Sequence, residues 1–204
     1  RFAGGGLESW NSTRGRHSYY DHNMSDPLSK PVREQKTGWK SYFMNFWSLW
    51  PPFLGAGIKI ENTEGGYGPD GWKAMDIRLK LRFWNSNYVG TQFGGSLFAM
   101  TDPFLMLILM RRLGKDFVVW DKASTIRFRR PGTTDCRVRF EVSDDELESI
   151  RREVLEKGQM DWVRAVQIFD LNGKVVAEVE KTLYIATKEH YRAIGNRKSQ
   201  ESST

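Results

Sequence analysis

Apolar and polar positions divide the chain into a patterned centre and two polar ends. Between residues 39 and 50, Tyr42, Phe43, Phe46, Trp47 and Trp50 recur at helical spacing and Pro51-Pro52 stops the run, which predicts a short amphipathic helix. Gly57-Ile-Lys-Ile-Glu61 then leads to a Gly- and Pro-rich turn over 64–71. After the turn Ile77, Leu79, Leu81 and Phe83 alternate with Arg78, Lys80 and Arg82, the period of a half-buried strand, so the two segments predict a hairpin. Residues 94–110 form one apolar run of 17 residues that contains Asp102 and Pro103. A bilayer crossing needs about 20 apolar residues and tolerates a carboxylate poorly, so a buried helix, kinked or restarted at Pro103, fits this run better.

The second half alternates with period two in most places. Residues 117–120 and 125–130 read as strand up to Pro131-Gly132, and 137–142, 162–169 and 175–185 follow as further strands. A helix interrupts them: Ser143-Asp-Asp-Glu146 is a capping box, Leu147, Ile150, Val154 and Leu155 form one face, and Gly158 is placed to end it. Asp170-Leu-Asn-Gly173 predicts a tight hairpin turn. One very apolar helix among mostly antiparallel strands implies an α+β fold in which a sheet wraps that helix.

Composition adds limits. The chain has 204 residues, 39% hydrophobic and 27% charged, which suits one domain with tails. A single cysteine, Cys136, excludes an internal disulfide and a cysteine metal cluster; a reducing, cytoplasmic setting is the default expectation, with Cys136 buried. The net charge of +6 spreads evenly, since residues 1–36, 37–186 and 187–204 each carry +2. No basic block marks the centre, so nucleic-acid binding is not expected. Residues 1–36 are rich in Gly, Ser, Asn and charge and are expected to be loosely structured, as is the polar tail 187–204. Residues 1–23, before Met24, read as an upstream extension or a remnant of preparation. Residues 1–36 show no signal-peptide core.

The pattern Asn87, Gly90-Thr91, Gly94-Gly95 and Asp102, followed by a strand ending Arg-Phe-Arg-Arg-Pro-Gly, resembles the PaaI-like acyl-CoA thioesterases of the hotdog fold. It is most similar to a less characterised branch with the Gly-Thr-Gln-Phe-Gly-Gly-Ser form. The resemblance spans most of residues 37–186 and implies an antiparallel sheet around a long central helix, with an extra N-terminal helix. It also implies a homodimer, or a dimer of dimers, and no cofactor beyond coenzyme A as part of the substrate.

The chemistry of the residues agrees with that likeness. Thioester hydrolysis needs an activated nucleophile and donors for the developing oxyanion. A helix N-terminus offers unpaired N–H groups, and glycine lets a substrate approach them. The resemblance implies Gly94 as oxyanion donor, Asp102 as nucleophile or general base, and Asn87 as a group orienting substrate or water. Phe93, Gly95 and Thr101 are the expected neighbours of the acyl group, and Arg127, Arg129 and Arg130 the expected contacts of the coenzyme A phosphates. On an unbroken helix the eight residues from Gly94 to Asp102 span about 12 Å at ~1.5 Å per residue, too far to act on one carbonyl. Two chains meeting in antiparallel fashion bring Gly94 of one to Asp102 of the other, which is the composite site that the resemblance implies.

One departure bears on activity. The related enzymes commonly carry a His before the two glycines, and here Phe93 stands there. His17, His22 and His190 all lie in the tails, which argues against a Ser-His-Asp triad or a His-based metal site. A thioesterase and a non-catalytic module that binds acyl-CoA or another lipid both remain open at this point. Bland roles compete as well: Asp102 as a cap, the glycines as packing, Asn87 as a turn residue and the arginines as a solvated face.

Overall fold

The computed structural model describes residues 49–64 and 72–201. The helix expected over 39–50 and the turn over 64–71 lie almost wholly outside the described residues. The two prolines do not merely end a helix, since α1 (Pro51–Ala56) begins on them. Proline has its φ preset and needs no N–H in a first helical turn, so Pro51-Pro52 is a start signal here. Gly57, at φ 80°, closes α1 in a left-handed conformation, and a Cβ on it would come within 2.4 Å of the Asn85 amide. That buried amide donates to the Ala56 and Lys80 carbonyls, 2.8 Å each, and accepts from the Arg82 N–H at 2.7 Å.

Strands β1 (Ile58–Glu64) and β2 (Ala74–Leu79) pair antiparallel, as the alternation implies. The strand stops at Leu79 rather than running on to Phe83, because Asn85 draws the Lys80 and Arg82 backbone into a turn. Leu81 is consequently half-buried and Phe83 is exposed, edge-on to Trp84. The remaining strands are β3 (Phe117–Phe128), β4 (Cys136–Glu141), β5 (Gln159–Asp170) and β6 (Val175–Thr187). Among the described residues six strands make one sheet in the order β1-β2-β4-β5-β6-β3, with every neighbouring pair antiparallel. The two segments expected over 117–130 are one strand, joined through a bulge between Asp121 and Ala123.

The apolar run becomes two helices, α2 (Gly94–Ala99) and α3 (Phe104–Leu113), separated at Met100–Pro103. Pro103, which follows a cis peptide bond, lacks the donor needed to continue α2, and α3 restarts immediately after it. Phe104, Leu105, Ile108, Leu109 and Leu113 are buried with residues from all six strands. The Phe104 ring lies between Phe53 and Phe140, with centroids 5.7 and 5.5 Å away. α4 (Asp144–Lys157) starts on Ser143, whose Oγ accepts from the Glu146 N–H at 3.1 Å. Ile150 and Val154 are buried, but Leu155 is exposed and does not join their face. Asp170 Oδ1 accepts from the Asn172 and Lys174 amides while Gly173 adopts φ 74°, forming the expected β5–β6 turn.

The tail from residue 187 contains a helix, α5 (Lys188–Glu201), which the polar composition did not suggest. Its start is held by the Lys188 N–H on the Asp116 carbonyl, 2.9 Å, and by Tyr191 edge-on to Trp120. Cys136 is buried, and burial first, then Asp170 and Asp135, push its thiol up to about 12. It is a core residue with no thiolate chemistry near neutral pH.

Asp135 joins the ends of the chain segments around β2. Its carboxylate accepts from the Leu81 N–H at 2.8 Å and from Arg78 Nε at 2.8 Å. Burial pushes its pKa up, but the Leu81 amide and the Arg78 and Arg82 charges pull harder and leave it below the ordinary value. The unfolded chain therefore binds the proton more tightly, so this stabilisation is present above the ordinary carboxylate range and is lost as pH falls through the lower folded value. Asp135→Ala is expected to cost about 1–3 kcal/mol in urea unfolding at neutral pH. The cost should shrink toward pH ~3, and an equal cost at both pH values would contradict this role.

Candidate active site

Each component of the site follows from a local rule. Phe93 is extended and caps α2, so Gly94, Gly95 and Ser96 occupy its first turn. The Ser96 N–H returns to the Phe93 carbonyl at 2.9 Å, whereas the Gly94 and Gly95 N–H groups have no partner among the described residues. Such leading donors are available to an anionic oxygen. Lack of a side chain matters here: a Cβ on Gly94 would stand 3.0 Å from Phe128 Cζ, and one on Gly95 only 2.5 Å from Phe93 Cε1. Two exposed aromatic rings, Phe93 and Phe128, thus lie beside the two glycines.

Asp102 lies in the break between α2 and α3, with its side chain 59% exposed. The break replaces the continuous helix assumed for the 12 Å separation from Gly94, so that distance no longer follows from helical rise. Thr101 is buried, and its hydroxyl donates to the Phe98 carbonyl at 2.7 Å, which assigns the side chain to the helix end rather than to a substrate.

Asn87 is fully occupied. Its Nδ2 donates to Thr91 Oγ1 at 2.8 Å and to the Gln92 carbonyl at 3.4 Å, and its Oδ1 accepts from the Val89 and Thr91 amides at 3.1 and 2.9 Å. A primary amide has about this many bonds to give, so Asn87 organises the loop that delivers Phe93 and Gly94. The turn alternative for this residue is the one that its contacts support.

The arginines separate. Arg129 is held by Glu178, with Nε at 3.0 Å and Nη2 at 2.5 Å. Arg127 lies opposite Glu178 on β6, and both Arg127 and Arg130 are exposed. The three form a charged margin beside Phe128.

The most informative residue was not anticipated. Lys181 on β6 has a side chain only 2% exposed, although it ends in an amine. Its Nζ donates to the Thr101 carbonyl at 3.0 Å and to Asp102 Oδ1 at 3.4 Å, and lies 2.9 Å from Asp121 Oδ1 in an ion pair that is off the hydrogen-bond direction. A buried ammonium is costly unless paired and hydrogen-bonded, and here both conditions are met. The signal was in the sequence: Ala177, Val179, Leu183 and Ile185 face inward, and Lys181 has the same parity.

Asp121 reaches this cluster because of the bulge. Asp121 pairs with Leu183 and Ala123 with Thr182, leaving Lys122 without a cross-strand partner. Inward positions are odd-numbered up to Asp121 and even-numbered from Ser124, which lets Asp121 and Phe128 share one face despite their odd separation. Lys122 is held outward by Asp161 at 2.5 Å. Among the described residues no group of His, Cys, Asp and Glu could hold a metal ion, and no helix is long and apolar enough to cross a membrane.

An antiparallel sheet packed on a central helical segment defines the hotdog fold class. Solved structures share it. A Pseudomonas aeruginosa protein of unknown function, described as a "Probable Thioesterase", is 21% identical and aligns over 72% of this chain and 95% of its own, with a TM-score of 0.61. A Chlorobaculum tepidum protein of unknown function is 16% identical over 73% of this chain and 94% of its own, TM-score 0.56. A Haemophilus influenzae thioesterase is 13% identical over 74% and 93%, TM-score 0.51. No curated protein matches the chain. The chain belongs to the DUF4442 family, a domain of unknown function, which matches residues 40–185.

Proposed function

We propose that the protein hydrolyses acyl-CoA thioesters of the fatty or aryl type. The observation that carries this reading is the exposed Asp102 carboxylate, which lies against a buried ammonium in the break that follows a helix with two unpartnered glycine amides. Asp102 accepts a proton from a water whose oxygen attacks the thioester carbonyl, and the Gly94 N–H stabilises the resulting oxyanion. As the C–S bond breaks, the proton returns to the departing thiolate. Direct attack by the carboxylate is the other course open to the same residue. Among the structural relatives, the proteins from Pseudomonas aeruginosa and Haemophilus influenzae carry thioesterase names, which agrees with this reading.

The site is completed by a second copy of the chain. β3 ends the sheet, and among the described residues no strand lies beside the outer edge of its 12 residues, which carries backbone donors and acceptors. Joining two such edges would make one continuous sheet and bring a second helix to Asp102. Arg127 and Arg130, exposed at the end of that strand, are placed to meet the coenzyme A phosphates.

A second reading has its own support. Phe93 is apolar and, with Phe128, lies beside both glycines, which suits retention of an acyl chain without turnover. Thiol release from acyl-CoAs of increasing chain length and from an aryl-CoA, measured with the purified full chain and combined with sedimentation, separates the two. Hydrolysis by a dimer is expected. Saturable binding with no thiol release from any substrate would replace the enzyme by a binding module, and full activity in a monomer would sink the composite site.

A further inference from the structure

Lys181 faces two carboxylates, one more than its charge requires. With all three groups ionised the cluster carries two negative charges and one positive. The ammonium links the helix break, through Thr101 and Asp102, to the bulged part of β3, through Asp121. Resting on the thioesterase reading for its catalytic consequence, we propose that Lys181 and Asp121 are positioning residues for Asp102: Lys181 fixes the carboxylate in the break, and Asp121 keeps that ammonium compensated while Asp102 changes charge.

The need for Asp121 follows from the proton count. When Asp102 takes a proton from water it becomes neutral, and a buried Lys181 with no other partner would then be an uncompensated charge. Asp121, at 2.9 Å, remains as its counterion before and after the transfer. Burial first pushes the Asp121 pKa up, Lys181 pulls it down, and Asp102, close enough to hydrogen-bond it, pushes it up again, with a net rise. Other charges near the cluster are committed elsewhere. Arg164, opposite Lys181 on β5, turns to Glu146 at 2.7 Å, and Lys122 pairs with Asp161. The β3 residue opposite Lys181 is Ser124, which is uncharged.

The test is a carboxyl-carbon NMR titration of the full chain labelled at aspartate, comparing wild type, Lys181→Met, Lys181→Arg and Asp102→Asn. The Asp121 midpoint is expected to rise in Lys181→Met, to fall in Asp102→Asn and to return toward wild type in Lys181→Arg. In parallel, kcat for thioester hydrolysis should fall roughly 10²-fold in Lys181→Met, the loss expected for a misplaced catalytic group. Lys181→Arg should recover part of it, and the acid limb of the kcat/KM profile should move to lower pH in Asp121→Asn.

Asp102→Asn changes an exposed side chain, so it keeps the test decisive if Lys181→Met does not fold. An Asp121 midpoint that ignores Asp102→Asn overturns the proposal even in an active enzyme. Opposite movements of that midpoint in a protein that hydrolyses nothing would support the linked cluster while removing the thioesterase reading.

Discussion

Asp102→Asn is expected to lower kcat/KM for acyl-CoA hydrolysis by about 10²–10⁴-fold, the range that a positioned general base contributes. The replacement is nearly isosteric, and the side chain it changes is largely exposed, so the fold should survive. The amide can still accept from Lys181, but it cannot take a proton from water. Substrate binding, measured as KM or directly with a non-hydrolysable acyl-CoA thioether, should change by less than the rate does. If rate and binding fall together, Asp102 binds the substrate and does not activate water. If neither falls, the carboxylate is a cap for the restart of α3 and the catalytic assignment fails.

Phe104→Ala should be the most destabilising of the simple core truncations near the site. The ring is fully buried between Phe53 and Phe140, so its removal deletes contacts with α1 and β4 at once. Large-to-small changes of this kind cost about 3–5 kcal/mol. For a chain of this size that corresponds to a fall in Tm of about 6–20 °C. Urea unfolding with an unchanged slope would confirm that native stability, and not the unfolded chain, is affected. A loss below about 1 kcal/mol would mean that neighbours refill the space and that the start of α3 is not held by this ring. Phe104 is two residues from Asp102, so the same variant should also loosen the helix break and reduce kcat before the protein unfolds.

The fold was legible wherever one simple period governed a segment. The alternation in β2, β4 and β6 and the Asp170–Gly173 turn were all readable, because each rests on contacts within a few residues or on one buried face. Two features depended on something else. β2 ends at Leu79 because a side chain three residues past Arg82 folds back on the backbone, which periodicity does not encode. α1 does not follow from the pattern, because Pro51-Pro52 reads as the stop of the segment over 39–50, whereas a proline pair also suits a first helical turn.

In the site, Asp102 and the two glycines stood out as exceptions in an apolar run, and the structure places each at a helix end. Lys181 had the parity of a core residue, but a charged residue in a strand is ordinarily a solvent-face residue, and parity alone does not reveal its two carboxylate partners. Asp121 was harder still. Its company is set by a bulge, and a bulge leaves no mark in the composition of β3, where the flanking Lys122 is an unremarkable polar residue. The role of Asn87 was visible in part, since its turn chemistry was apparent but the complete use of its amide was not.

The unpaired Lys122 also decides what a substrate would meet beside Gly94. If it entered the ladder, every later residue of β3 would move one place along β6, and Arg127 would take the position opposite Ala177 that Phe128 now holds. The same sequence would then present a guanidinium instead of a ring over the exposed amides. One looped-out residue, tied down by Asp161, thus decides whether a ring or a guanidinium stands opposite Ala177.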